Sequence, residues 1–277
     1  MSQSNDRYQV VIAKYGTRQT VRSDVYLNYP LYGQADGPIE MDYFFWVVRN
    51  HERTIVVDTG FSRRGGDVRG RTTLVPVPQL FSRIGVDPQS SPLVVITHAH
   101  YDHIGNLDHF PTSEVVMARA EFEFWSSRHA GRALFHHSVE DEELAGLRRI
   151  NDEGRLRLFD DWLDIAPGVH ALVVGGHTPG QCVVRVATDE GTVLLASDAI
   201  HYYEEYERDM LFTSVADLVE MYEAFDTIRE MERLGSIDHL VAGHDPNTLR
   251  RFAPIDGEFD GLVATIGSLT NTTSVVA

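Results

Sequence analysis

Short apolar runs rich in valine and isoleucine alternate along this chain with polar stretches punctuated by glycine. Runs of three to six such residues bounded by turn formers read as strands. In the first part they are Tyr8–Ala13, Tyr43–Val48, Thr54–Val57, Leu93–Ile96 and Val115–Met117. In the second part they are Val169–Val174, Val183–Ala187, Val193–Ala196 and His239–Val241. Helical periodicity predicts Ala118–Ser126 and Glu140–Ile150, the latter acidic early and carrying Arg148 and Arg149 late, as the helix dipole favours. The longest helix is expected at Val215–Leu234, with Val215, Leu218, Val219, Tyr222, Phe225 and Ile228 on one stripe. Ser214 is its expected N-cap and Gly235 its stop.

Strand-rich halves with interspersed helices fit a two-sheet sandwich covered by helices. One domain over residues 1–277 is expected, with its core at about 43–254 and a Ser/Thr-rich tail, 267–277, that frays. No repeat of 20–50 residues is visible. The apolar segments are too short to span a bilayer, and Met1–Arg7 lacks the apolar stretch of a secretory signal.

Composition narrows the partners. The formal charge is −17, from 24 Lys+Arg against 41 Asp+Glu, which argues against nucleic acid and anionic membranes. A basic group at Arg63, Arg64, Arg69 and Arg71 stands out, and reads by itself as a solvated loop. The lone cysteine, Cys182, excludes an internal disulfide and reads as a small buried hydrophobe; a cytoplasmic address is the simplest expectation. A small-molecule substrate is the expected partner, and a homodimer the assembly left open.

Candidate chemistry concentrates where strands end, because loops there present side chains from a rigid scaffold. His98-Ala99-His100-Tyr101-Asp102-His103 follows the buried Leu93–Ile96 run directly. Three histidines and a carboxylate in six residues offer nitrogen and oxygen donors to a divalent ion. His-x-His in an extended segment points two imidazoles to one side, and Asp102-His103 at the following turn can address a second ion. Gly105 is read as permitting the chain to reverse.

His-x-His-x-Asp-His resembles the signature of the metallo-β-lactamase superfamily, and three further pieces stand in that family's order. They are His177 in Gly176-His177-Thr178-Pro179-Gly180, Asp198 in Ser197-Asp198-Ala199, and His244 in Gly243-His244-Asp245. Asp58 in Val57-Asp58-Thr59-Gly60 is similar to an early family segment, although it also reads as a turn residue. The resemblance implies an αββα sandwich, two mixed sheets flanked by helices. It further implies two divalent ions, one on His98, His100 and His177, the other on Asp102, His103 and His244, with Asp198 bridging. Zinc heads the candidates, and iron, manganese and cobalt accept similar donors. Asp58 would then fix the tautomer of a ligating imidazole. His109, His129, His136, His137, His170 and His239 are left over as surface or structural, with His136-His137 placed where the family inserts loops over its site.

Within the superfamily, true β-lactamases of the commonest types carry Cys where Asp198 stands, and flavodiiron proteins carry Glu in place of His100. The ligand set and the Asp198-Ala199 context are similar to the N-acyl-homoserine lactonases, which implies lactone opening by a bridging hydroxide. Asp102 would serve as proton shuttle. The alternative is a glyoxalase II-like thioester hydrolase, for which Arg250-Arg251 would bind carboxylates, or a hydrolase of another cyclic ester or amide. The chain departs from the lactonases three residues after Asp198, where they often carry tyrosine and this chain has His201. That histidine is expected to help hold the oxyanion, with Tyr202, Tyr203 or plain aromatic packing as alternatives. A catalytically silent binding protein is separable from all of these by metal content and a lactone assay.

Overall fold

The structure, a computed structural model, describes residues 6–255 and 257–269. Fourteen strands make two sheets. They are β1 Gln9–Val21, β2 Pro38–Arg49, β3 Thr54–Val57, β4 Thr72–Thr73, β5 Leu93–Val95, β6 Val115–Ala118 and β7 Leu156–Phe159, then β8 Trp162–Ala166, β9 Val169–Val173, β10 Cys182–Thr188, β11 Gly191–Ser197, β12 His239–Ala242, β13 Ala253–Pro254 and β14 Val263–Ile266. The first sheet runs β13-β14-β1-β2-β3-β5-β6-β7, with β4 paired to β1. It is antiparallel from β13 to β3 and parallel from β3 to β7. The second runs β12-β11-β10-β9-β8, antiparallel except for the parallel β11–β12 pair.

Side-chain alternation decides how the layers stack. On β2, Phe44, Trp46 and Val48 face the second sheet, where they meet Val169, Val184, Val193 and Leu195. The alternate residues Phe45 and Val47 face outward into a helical layer with Phe81, Ile104, Leu144 and Leu147. Both faces of the strand are therefore apolar, and the run reads as nearly continuous hydrophobicity. Beyond the second sheet, Met221, Phe225 and Ile228 of the helix Leu218–Arg233 cover Val183, Leu194 and Ala196. Each such fully buried side chain contributes about 1.5–3 kcal/mol. The result is the helix–sheet–sheet–helix order that the resemblance implied.

Several expectations are corrected. The expected core of 43–254 leaves out β1 and β14, yet β1 is the longest strand and pairs with β2, β4 and β14. The expected fraying at 267–277 falls, from residue 270 onward, outside the described residues. Helix Leu218–Arg233 starts three residues later than expected, because Asp217 rather than Ser214 caps it, accepting from Val219 and Glu220 N–H at 2.8 and 3.0 Å. Gly235 does follow the helix in the left-handed region, at φ 65°.

Gly105 does not reverse the chain; its backbone is right-handed helical. Its glycine is required by space, since a Cβ there would come within 2.2 Å of Ser62 N and 2.7 Å of Gly60 O. Gly105→Ala should therefore lower stability by about 1–3 kcal/mol, the usual cost of overpacking. A denaturant titration of the variant checks this, and an unchanged midpoint would show that the Gly60–Ser62 backbone yields freely.

Candidate metal centre

Five strand ends meet at one edge of the sandwich. β3 ends at Asp58, β5 leads through Thr97 into His98 and His100, and β9 runs toward His177. β11 and β12 end just before Asp198 and His244. Asp102 and His103 lie on the short helix Tyr101–Ile104 that follows β5. The two sheets are tied beside these residues: Thr97 Oγ1 and Ser197 Oγ share a hydrogen bond of 2.8 Å, and Cys182 N–H donates to the Thr97 carbonyl at 3.0 Å.

The seven sequence-predicted ligands come together, and all are buried. Donor atoms of His98, His100, His177 and Asp198 lie within 4.8 Å of one another, as do those of Asp102, His103 and His244. Asp198 stands between the groups. Its Oδ2 is 3.4 Å from His177 Nε2 and 3.8 Å from His98 Nε2. Its Oδ1 is 3.3 Å from His103 Nε2 and 3.2 Å from His244 Nε2.

Three of the imidazoles are held by the nitrogen that faces away from the cluster. His177 Nδ1 donates to the Ser214 carbonyl at 2.7 Å, and His244 Nδ1 to the Asp42 carbonyl at 2.7 Å. His103 Nδ1 meets Asp58 Oδ2 at 2.8 Å. Asp58 in turn accepts from Thr97 N–H and Thr97 Oγ1, both at 2.8 Å. Donation from one ring nitrogen leaves the other with its lone pair aimed into the cluster, which is the arrangement a metal ligand needs.

Electrostatics differ between the two groups of ligands. Burial pulls His98 and His100 well below the usual histidine range and His177 down to about 3, so these rings are neutral at pH 7. Burial also pulls on His103, but Asp198, Asp58 and Asp102 outweigh it and raise its pKa. Burial would raise Asp198, yet the imidazoles of His244, His103, His201 and His98 hold it well below the carboxylate range. His98 Nε2, His103 Nε2 and Asp198 Oδ1 are buried without a hydrogen-bond partner among the described residues. Orphaned buried donors converging on one point are costly unless a ligand satisfies them, and a pair of divalent ions fits this set.

His201 takes a different position from the one expected. It is fully buried, with Nδ1 3.1 Å from Glu205 Oε2 and Nε2 3.2 Å from Asp198 Oδ2, though without hydrogen-bond alignment to the latter. Its ring stacks on Phe212 at 3.9 Å. Between two carboxylates its pKa, which burial alone would lower, is pushed up to about 9. It is fully buried and is not among the residues that line the cavity over the ligands. Tyr202 and Tyr203 do not replace it, because their hydroxyls donate to the carbonyls of Glu40 and Leu240 at 3.1 Å.

Two buried carboxylates escaped the sequence reading. Glu205 accepts from the His201 N–H at 2.7 Å, from Tyr202 N–H and from Phe212 N–H. Glu121 accepts from Ala99 N–H at 2.8 Å, Trp125 Nε1 at 2.7 Å and Gly180 N–H at 3.0 Å, so one side chain joins the His98–His100 segment to the loop after His177. The only sequence signal was the Glu121/Trp125 spacing of one helical turn. Of the leftover histidines, His136 and His170 pair with Asp141 and Asp164, and His137 lines the cavity over the ligands. That cavity has a volume of about 390 Å³; His100, Asp102, His177 and Asp198 reach it, and Tyr43, Tyr101 and Phe212 wall it.

The metallo-beta-lactamase superfamily model matches residues 42–244. An N-acyl homoserine lactonase of a Bacillus species is 25% identical over 189 residues, which cover 63% of this chain and 70% of that protein. The N-acyl homoserine lactonase AttM of Azorhizobium caulinodans is 29% identical over 185 residues, covering 64% and 66%. Among solved structures, a quorum-quenching N-acyl homoserine lactone lactonase superposes with a TM-score of 0.72 at 19% identity, over 87% of this chain and 93% of that one. The dizinc quorum-quenching lactonase AidC gives 0.67 at 17% identity, over 94% of both. These superpositions show a shared fold.

The grip of Asp58 on His103 is open to test. Asp58→Ala should weaken binding of divalent metal by about 10–100-fold, the usual cost of losing the partner that orients a ligating histidine. Competition with a chromogenic chelator measures it, and an unaltered affinity would leave Asp58 as a turn residue alone.

Proposed function

The chain belongs to the metallo-β-lactamase superfamily, and from that premise we propose that it is a dinuclear metal-dependent hydrolase that opens a lactone ring. The observation that carries the dinuclear part is Asp198, whose carboxylate lies within 4 Å of histidines of both ligand groups, His98 and His177 on one side and His103 and His244 on the other. Support for the lactone comes from the lactonases to which the chain is similar. His98, His100 and His177 would hold one ion and Asp102, His103 and His244 the other, with Asp198 shared and zinc the proposed metal, as in the dizinc relative. Ions there supply Lewis acidity for a carbonyl and a hydroxide nucleophile at neutral pH.

The chain's own residues supply the rest. Asp102 belongs to a ligand group and also reaches the cavity, so its carboxylate is placed to take the proton of the attacking water and return it to the leaving ring oxygen. His201, oriented by Glu205, is a positioning residue that keeps Asp198 turned between the two groups. Tyr43, Tyr101 and Phe212 keep bulk water off the reacting ester.

The thioester alternative loses its basic pair. Arg251 lies over the Tyr203 ring, 3.3 Å from its centroid, in a separate cavity shared with Tyr206 and His239. Neither Arg250 nor Arg251 lines the cavity over the ligands. As to location, no helix among the described residues is long and apolar enough to cross a membrane, and the buried thiol of Cys182 suits the reducing cytoplasm we propose as its site of action.

Metal-saturated protein should carry about two ions per chain by elemental analysis, and Asp198→Asn should weaken both sites together. One ion at saturation would exclude the dinuclear reading.

For the reaction itself, kcat/KM on an N-acyl homoserine lactone should exceed that on a glutathione thioester by about tenfold or more, equal to about 1.4 kcal/mol of transition-state preference. A thioester preferred by that margin would replace the lactone as substrate class.

A further inference from the structure

The four arginines that stand together in sequence between residues 63 and 71 part company in the fold. Arg63 and Arg64 are solvated, the first against Asp67 and the second against Glu140 and Glu142. Arg69 is spent on structure: it pairs with Glu140 at 2.6 Å and donates to the carbonyls of Gly65, His137 and Val139. Arg71 lines the cavity over the metal ligands beside Arg69, but unlike Arg69 it has no ion pair with a carboxylate among the described residues. Strand β4 explains its position, because Thr72 and Thr73 pair with Thr17 and Gly16 of β1 and so bring Arg71 to the strand that carries Arg18. Arg18, paired in register with Met41 of β2, lines the same cavity.

Neither guanidinium is balanced. Arg71 Nε donates to Tyr101 Oη at 2.9 Å and Nη1 to the Arg69 carbonyl, which leaves Nη2 uncommitted. Arg18 donates only to Thr20 Oγ1, at 3.1 Å. Among the described residues no carboxylate comes within ion-pair distance of either. In a chain where acidic side chains outnumber basic ones 41 to 24, two part-buried arginines out of ion-pair contact, facing a cavity whose carboxylates Asp102 and Asp198 belong to the ligand groups, need an explanation. Arg71 also lies over the ring of Tyr43, 5.8 Å from its centroid, and that ring packs edge-on against His244 at 5.1 Å. The unspent charge therefore lies one ring away from the ligand cluster.

We propose that the substrate carries an anionic group, a carboxylate in its simplest form, set apart from the bond that is cleaved, and that Arg18 and Arg71 receive it. This rests on the hydrolase reading above and deepens it, since nothing in a neutral acyl lactone calls for two guanidiniums. The planar fork of arginine matches a carboxylate with two parallel hydrogen bonds. Placing the anion beside Tyr43 and Tyr101 leaves the ester carbonyl over Asp102 and Asp198, with Met41 and Phe212 as apolar walls between. Overall negative charge slows an anionic substrate at long range, so the local pair must act within about 10 Å, the screening length at ordinary salt.

The test compares two lactones of equal chain length on the metal-loaded full chain, N-glutaryl- and N-pentanoyl-homoserine lactone, which differ in a terminal carboxylate against a methyl. The glutaryl compound should have the higher kcat/KM by about tenfold or more. Arg18→Gln and Arg71→Gln should each reduce the glutaryl-to-pentanoyl ratio by about tenfold, while Arg157→Gln, on the far edge strand β7, leaves it unchanged. Arg71 also braces Tyr101, so Arg18→Gln, which gives up only a bond to Thr20, remains decisive if Arg71→Gln folds poorly. Calorimetric titration with glutarate against its neutral diamide gives a readout without turnover. Glutarate binding that both arginine variants weaken, with neither lactone hydrolysed, would support the anion site and overturn the lactone reading. Pentanoyl turned over as well as glutaryl, with a ratio insensitive to both variants, would overturn the anion site and leave the lactone reading in place.

Discussion

A carboxylate as deeply buried as Asp198, about 3% exposed, is sustained only by positive charge or donors arranged around it. Most of what is distinctive in this molecule follows from that requirement. Five imidazoles, from His98, His103, His177, His201 and His244, approach its two oxygens. These residues come from both sheets, so the sheets must end together at one edge. The Thr97–Ser197 hydrogen bond is the seam that keeps them there. The left-handed backbone of Asp58 and Ser197, at φ 61° and 47°, shows that local strain is accepted where strands turn into the site.

Around this centre the protein invests more in orientation than in ligands. The away-facing nitrogens of His177 and His244 rest on main-chain carbonyls from distant segments, and that of His103 on Asp58. Glu121 and Glu205 act as knots, each gathering several backbone N–H groups beneath a functional loop. A buried carboxylate that accepts three or more hydrogen bonds fixes geometry without exposing charge to the reaction. His201 shows how position limits role: its imidazole is sealed between the carboxylates of Glu205 and Asp198 and does not line the cavity.

The cavity above this rigid floor is walled by Tyr43, Tyr101 and Phe212, and its two guanidiniums without a carboxylate in ion-pair contact contrast with an acidic chain. Ligands and arginines come from different parts of the chain. The ligands belong to strand ends, and the arginines to β1 and the segment entering β4.

Much of this was legible in the sequence because it is local. His98 to His103 declares itself by spacing within six residues, and the buried strands by runs whose two faces are both apolar. Glu121 and Glu205 were not legible, since a carboxylate in a helical stretch looks the same whether it faces water or a loop of backbone amides. The carbonyls of Ser214 and Asp42 leave no trace at all, as every residue has one. Strands β8 and β14 were missed because Trp162–Ala166 is half exposed at a sheet edge and Val263–Ile266 is short. Arg63, Arg64, Arg69 and Arg71 are one basic cluster in sequence, but in space the first two are solvated, Arg69 is paired with Glu140 and Arg71 has no ion pair among the described residues. Sequence by itself determined which residues are chemically able to hold metal, because donor type and spacing are properties of the chain. Only the tertiary structure decided which nitrogen points inward, which carboxylates are buried among backbone amides, and which arginines are left without an ion pair. Those depend on partners tens to hundreds of residues away, brought within hydrogen-bond reach by the stacking of two sheets.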